Sequence, residues 1–298
     1  MPLPAPATRP TSGTVPLSDK DFELLRRLVR GETGIALGPQ KRLMLQARLN
    51  RRLRALGLTS FAQYLPRLTD GDHPEEQRAF INAVTTNKTD FFRERHHFAY
   101  LAERWAAARQ AHALRGGSTR IRAWSAACST GEEAYTLAMV LSEAGLAGPQ
   151  WDARILASDI NTDALAVAAA GAYPIERAAA VPPPLLTRYF LRRLDESTAV
   201  RARRSLRDLI RFRRINLAVW PWPFRSQFDL IFCRNALIYF DRPTQRQLLE
   251  RLLAVLKPGG LLFLGHSESV FGLVDGLSHL GNTIYLYAGP HALGQVSR

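Results

Sequence analysis

The sequence predicts an α/β domain built on a mostly parallel sheet, with an all-helical domain in front of it. From Arg120 onward, short apolar runs alternate with helical patterns, which is typical of parallel strands joined by crossover helices. Before about residue 95, apolar residues recur only at helical spacing. A chain of 298 residues also approaches the length at which one hydrophobic core stops growing. These observations favour two domains.

The helical domain is expected over residues 17–95. Residues 1–16 are rich in Pro, Thr, Ala and Ser and lack an apolar period, so we expect a flexible tail. A helix over residues 96–117, ending in two glycines, is predicted to link the two domains. Apolar spacing and start and stop residues predict the helices of the first domain at 18–34, 39–56, 60–68 and 74–84.

The predicted helix over residues 39–56 carries a cationic stripe beside its apolar stripe. We expect no acidic residue to neutralise the stripe. Such a stripe is usually only a solvated face, but the formal net charge of +14 indicates an acidic partner for the chain. The members of the stripe are Lys41, Arg48, Arg51 and Arg52.

Composition excludes several classes of protein. No run approaches the roughly 20 apolar residues of a membrane span, and the N-terminus lacks a secretory apolar segment. We therefore expect a cytoplasmic protein that does not insert into membranes. Cys128 and Cys233 stand far apart without a histidine cluster, which predicts buried thiols and no metal site. The charge alone leaves nucleic acid, an anionic membrane surface and a Glu-rich protein open as partners.

The α/β domain is expected over residues 118–290, with residues 291–298 as a second tail. Helices are predicted over 131–144, 163–170 and 244–256, the last of them terminated by Pro258 and the two glycines after it. The predicted strands are RIRAWSA, RILASDI, FDLIFCRN, GGLLFLGHS and TIYLYAG.

The segment SAACSTGEEAY should form the turn between the first strand and its helix, where backbone N–H groups face a ligand. Its only glycine, Gly131, does not make a GxGxxG phosphate cradle. Glu132 and Glu133 would repel a pyrophosphate but suit the cationic groups of S-adenosylmethionine. Asp159, at the end of the second strand, is placed to accept hydrogen bonds from ribose hydroxyls. A helix N-cap is its alternative role.

Six motifs occur in order and at matching intervals: TTNKTDFFRE, WSAACSTGEEAYTLAM, LASDIN, INL followed by WPF, FDLIFCRNALIYFD, and LKPGGLLFLGHSES. Together they resemble the bacterial chemotaxis receptor methyltransferases of the CheR type, over residues 17–289. The combination of NKTDFFR, CRNALIYFD and GHSES is specific for that family among methyltransferases.

The resemblance implies a Rossmann-like S-adenosylmethionine methyltransferase sheet with a small antiparallel β insert at about residues 185–215. It implies methyl transfer from S-adenosylmethionine to glutamate side chains of methyl-accepting chemotaxis receptors, with S-adenosylhomocysteine as product. A monomer without a nucleic-acid partner is expected. The insert lacks a glycine-bearing hairpin, which accompanies binding of a receptor tether peptide in some members, so tether binding is not expected.

The resemblance also implies the roles of individual residues. Arg93 would orient the incoming carboxylate and Tyr239 would lie near the methyl group, which makes these two the candidate catalytic residues. The cationic stripe would dock the receptor. His96 and His97 are expected to be exposed or to cap a helix. The implied cofactor contacts are Asn87, Thr89, Arg93, Glu133, Asp159, Asn216, Leu217, Asn235 and Ala236.

Two other functions remain open at this point. A nucleic-acid methyltransferase would explain the net charge of +14, but the chain lacks an NPPY-like motif and a basic, aromatic strand set for stacking bases. The second alternative is a non-catalytic adaptor that binds the cofactor and docks through the helical domain. The intact set of polar residues in the motifs argues against a degenerate pocket.

Overall fold

A computed structural model describes residues 14–115, 119–192 and 198–289. Most of the predicted N-terminal tail, the two linker glycines and the C-terminal tail lie outside these residues, so their predicted character stays a prediction. The chain divides into two compact units, Met1–Thr86 and Asn87–Arg298. In the part of the chain that is described, no helix combines the length and the apolar character needed to cross a membrane.

The first unit contains four α-helices. A short 3-10 turn, Pro39–Lys41, precedes the second helix. The first helix ends where Gly34 adopts φ 74°, a left-handed conformation that glycine reaches without strain. The helices are α1 Asp19–Thr33, α2 Arg42–Ala55, α3 Phe61–Thr69 and α4 Pro74–Val84. Their apolar stripes meet in a core that includes the fully buried Leu25, Leu45, Leu49, Leu53 and Tyr64.

The cationic stripe of α2 has an acidic partner on another helix. Arg52 contacts the Glu76 carboxylate through Nε at 3.1 Å and Nη2 at 2.5 Å. The Tyr64 hydroxyl donates to the same carboxylate at 2.7 Å. The prediction that nothing neutralises the stripe was wrong for Arg52, because the acid comes from α4 and not from α2.

Arg48 also makes contacts within the first unit. Its Nη1 donates to the carbonyl oxygens of Val84 and Thr85 at 2.9 and 2.7 Å. These bonds supply donors at the C-terminal end of α4, where helix carbonyls lack internal partners. Lys41 and Arg51 are exposed. The predicted docking stripe therefore divides into two arginines that hold helices together and two cations that face solvent.

The second unit is built on a seven-stranded sheet. Its strands are β1 Arg120–Ala126, β2 Asp152–Asp159, β6 Ile210–Arg214, β7 Phe228–Cys233, β8 Leu256–Leu264, β9 Leu277–Gly281 and β10 Ile284–Tyr287. The order is β6-β2-β1-β7-β8-β10-β9, and β10 runs antiparallel to both of its neighbours. Starting from β1, the chain first adds β2 and β6 on one side and later adds β7 and β8 on the other side, so the strand order reverses between β1 and β7. In parallel sheets, ligands bind outside the carboxyl ends of the strands at such a reversal.

Helices cover both faces of this sheet. They are α5 Arg95–Arg115, α6 Glu132–Glu143, α7 Thr162–Ala170, α8 Ile175–Ala178, α9 Pro183–Tyr189, α10 Arg204–Arg207 and α11 Arg242–Val255. One core joins α5 and α6 to buried residues of β2 such as Ile155. The other joins α11 to Trp124 of β1, which is fully buried.

A separate sheet of three antiparallel strands, in the order β3-β5-β4, follows α7 in the chain. Its strands are β3 Ala172–Pro174, β4 Phe190–Arg192 and β5 Ala199–Ala202. The antiparallel insert exists, but the predicted bounds of 185–215 were wrong at both ends. The segment 210–214 is instead the edge strand β6 of the main sheet. Three arginines among its five residues hide the continuous apolar run that marks a buried parallel strand.

A second correction concerns the end of α11. The helix ends at Val255, and the predicted terminator Pro258 and its two glycines lie inside β8. Gly259 has φ 78°, so the irregularity that these residues cause falls at the start of a strand.

Candidate active site

Asp159 is the last residue of β2 and lies at the carboxyl edge of the sheet. Its side chain is buried, and the residue is 7% exposed. Oδ2 accepts a hydrogen bond from the Ser129 backbone N–H at 2.8 Å, and Oδ1 accepts one from the Asn161 N–H at 2.8 Å. Burial raises the pKa of Asp159. The carboxylate thus ties the turn after β1 to the end of β2.

The turn between β1 and α6 is held in an unusual backbone conformation. Ala127, Ser129 and Gly131 have φ values of 59°, 51° and 96°. A Cβ at Gly131 would lie 2.7 Å from the Ala168 Cβ and 3.0 Å from the Tyr173 Oη. Left-handed residues other than glycine cost energy and collect at functional sites. Packing against α7 and the small sheet explains why glycine is needed at position 131.

The two adjacent glutamates at the start of α6 have different partners. Glu132 is fully buried and lies 2.9 Å from Arg177 in the small-sheet region. Glu133 accepts a hydrogen bond from the Ser125 hydroxyl at 2.7 Å and lies 3.3 Å from Arg234, just after β7. Burial raises the pKa of both carboxyl groups. Glu133 is therefore the acid attached to the edge where the strand order reverses.

Arg234 is the centre of a buried ionic network, and the residue is only 6% exposed. Its guanidinium lies 3.3 Å from Glu133 Oε2 and 3.3 Å from Glu94 Oε2. Nη2 also donates to the Arg93 carbonyl at 2.5 Å. The sequence analysis missed Arg234 and Glu94. The available signal was an arginine directly after the apolar strand FDLIFC, since a charge at that place must be paired if it is buried.

Glu268 organises the loops after β7 and β8. Its Oε2 accepts the backbone N–H groups of Gly265 at 2.7 Å and Asn235 at 2.8 Å, and Oε1 accepts that of Ile238 at 3.2 Å. Asn235 has φ 56°. The carboxylate therefore fixes the strained loop that carries Asn235, Ala236 and Tyr239.

The segment before α5 joins the same edge. The Asn87 carbonyl accepts a hydrogen bond from the Ser129 hydroxyl at 2.9 Å, and the Thr89 carbonyl accepts one from Arg177 at 3.0 Å. Arg93 Nη1 donates to the Lys88 carbonyl at 3.0 Å. These three predicted residues lie in the same unit as Asp159 and Glu133.

Asn216 and Leu217 follow the edge strand β6. The Ile215 N–H donates to the Asp159 carbonyl at 3.1 Å, which places this pair beside the end of β2. Asn216 Oδ1 accepts the Ala218 N–H at 3.0 Å, and Leu217 is buried. The four predicted docking cations lie in the other unit and are not part of this cluster.

Two family models match the chain: "CheR methyltransferase, all-alpha domain" over residues 20–85, and "CheR methyltransferase, SAM binding domain" over residues 87–286. The chain belongs to the CheR methyltransferase family. It is therefore an S-adenosylmethionine-dependent methyltransferase of chemotaxis, and the predictions of family, fold class and cofactor are confirmed.

Individual relatives of this CheR protein match over most of their length. Chemotaxis protein methyltransferase 2 of Pseudomonas aeruginosa is 45% identical over 89% of this chain and 92% of its own. The chemotaxis protein methyltransferase of Salmonella typhimurium is 44% identical over 90% of both chains. The corresponding protein of Borreliella burgdorferi is 34% identical over 86% of this chain and 90% of its own.

His97 is fully buried in this CheR protein and its ring contacts Phe263 and the Asn282 carbonyl, so the expectation that it is exposed or caps a helix was wrong. The centroids of its ring and the Phe263 ring are 5.5 Å apart, and Nε2 lies 2.6 Å from the Asn282 carbonyl oxygen. Nε2 therefore carries the proton, and Nδ1 faces Glu94 at 3.5 Å. His96 is exposed, as expected.

Glu94, His96 and His97 have ligand-type atoms within 4.8 Å of one another. The guanidinium of Arg234 lies 3.3 Å from Glu94 Oε2 and already supplies a cation there. We therefore read the group as part of the ionic network and not as a metal site.

The buried ionic network predicts that stability depends on pH. Burial lowers the pKa of His97 from 6.5 to about 4, so the unfolded chain binds a proton that the folded chain rejects. Burial alone would raise the pKa of Glu94. The His266 hydrogen bond and the Arg234 charge outweigh it and lower that pKa to about 2. His97 should contribute a fall in the free energy of unfolding between pH 6.5 and 4, and Glu94 should contribute one between pH 4.5 and 2.

Each group should contribute on the order of 3 kcal/mol across its window. The raised pKa values of Glu132, Glu133 and Asp159 contribute in the opposite direction, so the His97 contribution is measured as the difference between variants. Urea denaturation at a series of pH values measures this. His97→Gln should flatten the slope between pH 6.5 and 4, whereas His96→Gln, at the exposed neighbour, should keep it. A slope that persists in His97→Gln would assign it to other groups.

Proposed function

We propose that this CheR protein esterifies glutamate side chains of methyl-accepting chemotaxis receptors, as a cytoplasmic monomer that uses S-adenosylmethionine as methyl donor. The observation that carries the assignment of the site is the pair of carboxylates at the edge where the strand order reverses, the buried Asp159 and the partly buried Glu133. Both have a raised pKa because burial removes water from their charge. A ligand with cationic groups and a ribose suits such a pair.

The residues around this pair fit the cofactor. Each Asp159 oxygen accepts one backbone N–H, which leaves lone pairs for two ribose hydroxyls. Glu133 is proposed to face the ammonium group. Asn216 and Leu217 are proposed to flank the adenine, and Leu217 is buried at the same edge. The remaining proposed contacts are Asn87, Thr89, Arg93, Asn235 and Ala236.

When bound, S-adenosylmethionine supplies a methyl group that is already attached to a good leaving group. A glutamate with a solution pKa of about 4.3 is ionised at neutral pH, so the chain needs no general base. Its task is to align the carboxylate and to exclude water. We assign the alignment to Arg93, whose guanidinium can hold two carboxylate oxygens, and to the hydroxyl of Tyr239. The Glu268 carboxylate keeps the loop of Tyr239 in place.

The receptor presents acidic helices, and we propose that the helical unit docks them through Lys41 and Arg51. Both cations are exposed on or next to α2. Arg48 and Arg52 contribute by holding α2 against α4. Since exposed charge pairs contribute less than about 1 kcal/mol each, this contact should weaken with salt.

Incubation with tritiated S-adenosylmethionine and a receptor cytoplasmic fragment from the same genome tests the function. Label should enter the receptor and be released by alkali, and mass spectrometry should find the methyl increment on glutamate. Arg93→Ala should lower kcat by roughly tenfold or more because the carboxylate is no longer aligned, without an equal loss of melting temperature. Arg95→Ala, at an exposed neighbour, is the matched control.

Two outcomes contradict the proposal. Label that enters total RNA and not the receptor would make the protein a nucleic-acid methyltransferase. Tight cofactor binding without turnover on any receptor of the same cell would make it an adaptor.

A further inference from the structure

We propose that an exposed arginine face on the main sheet is a second docking surface for the acidic helices of the receptor. The arginine face consists of Arg154 on β2 and of Arg211 and Arg213 on β6. This inference rests on the proposed function. It states where the receptor contacts the enzyme beyond the glutamate that is methylated.

Strand register places the three arginines on one side of the sheet. Leu156 of β2 pairs with Arg211, and Ser158 pairs with Arg213, in parallel register. Side chains two residues apart on a strand point to the same side and lie about 7 Å from each other. Arg154, two residues before Leu156, therefore shares the side of both β6 arginines.

The opposite side of the same strands is closed by helices. Ala153, Ile155 and Ala157 are at most 1% exposed and belong to the core that includes residues of α6 and α7. On the arginine side, Arg154, Arg211 and Arg213 are exposed. The arginine side is therefore open to solvent at these three positions, whereas Ser158 and Trp124 on the same side are fully buried.

Within the described parts of the chain, none of the three guanidinium groups forms an ion pair with a carboxylate, and the nearby Asp152 carboxylate is paired with Arg122. Each Nη1 donates only to the carbonyl of the residue before it, at 2.8 Å for Arg154, 3.2 Å for Arg211 and 3.0 Å for Arg213. These bonds leave the other guanidinium N–H groups free to meet carboxylates. The face is therefore a cluster of uncompensated cations.

Protection of a sheet edge does not fully account for the cluster. Charged residues often stand on edge strands because they prevent pairing with other chains. That explains Arg211 and Arg213, since β6 is an edge strand. It explains Arg154 only in part, because Arg154 lies one residue before the stretch of β2 that pairs with β6 and is paired with Arg122 of β1.

An exposed tryptophan borders the face. Trp124 shares its side of the sheet because it pairs with Leu156. Trp222 packs 4.9 Å from Trp124, and Trp220 packs 5.1 Å from Trp222 while remaining 43% exposed. Tryptophan and arginine are among the residue types that dominate binding energy at protein interfaces.

The position of the face favours the receptor helix as its occupant. Ser158, which pairs with Arg213, directly precedes Asp159, so the face begins at the edge that carries the proposed site. A helix that presents one glutamate there carries its neighbouring carboxylates on turns about 5.4 Å apart, which is close to the spacing of the arginines. The charges of helix and face are complementary.

The test compares two triple charge reversals with the full-length enzyme. The first is Arg154→Glu, Arg211→Glu and Arg213→Glu. The control is Arg104→Glu, Arg109→Glu and Arg192→Glu, which changes net charge equally at exposed arginines outside the face. We expect the first variant to raise KM for a receptor cytoplasmic fragment about tenfold at low salt and less at high salt. The kcat, the melting temperature and the Kd for S-adenosylmethionine should not change, and the control should stay within about twofold of wild type.

A neutralising variant, Arg154→Gln, Arg211→Gln and Arg213→Gln, keeps the test valid if the reversals fail to fold, and should show a smaller rise in KM. Equal KM values for the face and control variants would overturn the inference while leaving the proposed function intact. Loss of binding to an RNA oligonucleotide, measured by fluorescence anisotropy, with an unchanged receptor KM would overturn it in favour of nucleic acid. A wild-type protein that methylates no receptor would overturn the proposed function and the inference together.

Discussion

Arg234→Met should lower the free energy of unfolding by about 3–5 kcal/mol, the range seen when one partner of a buried ion pair is removed. Methionine fills much of the space of the arginine stem but leaves Glu133 and Glu94 as buried carboxylates without their cation. The Arg93 carbonyl also loses its donor. Urea denaturation at neutral pH measures the change.

Removing one of the two carboxylates that have lost their cation should restore part of the lost stability. The double variant Arg234→Met with Glu94→Gln should be more stable than Arg234→Met alone, because one uncompensated charge is gone. Arg246→Met, at an exposed arginine of α11, is the control and should change stability by less than about 0.5 kcal/mol. A loss below about 1 kcal/mol for Arg234→Met would mean that water or neighbouring groups compensate the carboxylates.

Asp159→Ala should raise the Kd for S-adenosylmethionine by about 10- to 100-fold. The physical reason is the loss of hydrogen bonds from the ribose hydroxyls to a carboxylate, each worth about 1.5–3 kcal/mol, where 1.4 kcal/mol is tenfold in affinity. Calorimetric titration of the cofactor measures this.

The same variant should also lower the melting temperature. Asp159 accepts the Ser129 and Asn161 backbone N–H groups, which lose their acceptor in alanine. The titration is therefore made well below the melting temperature of each variant. Asp163→Ala, an exposed acid in the first turn of α7, should leave Kd unchanged. An unchanged Kd for Asp159→Ala in the folded protein would remove Asp159 from the cofactor site.

Much of the fold and part of the candidate site follow from local patterns. The alternation of apolar runs and helical segments after Arg120 predicts the parallel strands, because buried parallel strands are apolar on both sides. The turn with Gly131 and the acid at Asp159 are recognisable because they directly follow strands, and strand ends meet at one edge of a parallel sheet. The motifs around them were sufficient to identify the family.

The edge strand β6 could not be assigned to the main sheet from a local pattern. Ile210 and Phe212 face the core while Arg211 and Arg213 face solvent, and this alternation does not distinguish a strand of the main sheet from one of the antiparallel insert that the resemblance implied. Only pairing with β2, more than 50 residues earlier, shows that it belongs to the main sheet. The arginine face was hidden for the same reason, since its members come from two strands.

The sequence by itself determined the family, the fold class, the cofactor and the positions of the acids that end β2 and begin α6. Only the tertiary structure decided which charges are used inside the protein and which face solvent. Arg52 meets Glu76 across 24 residues, and Arg234 meets Glu94 across 140 residues. A local pattern reports the propensity and the exposed side of one element. The pairing of charges depends instead on distances between elements, which packing of the core sets.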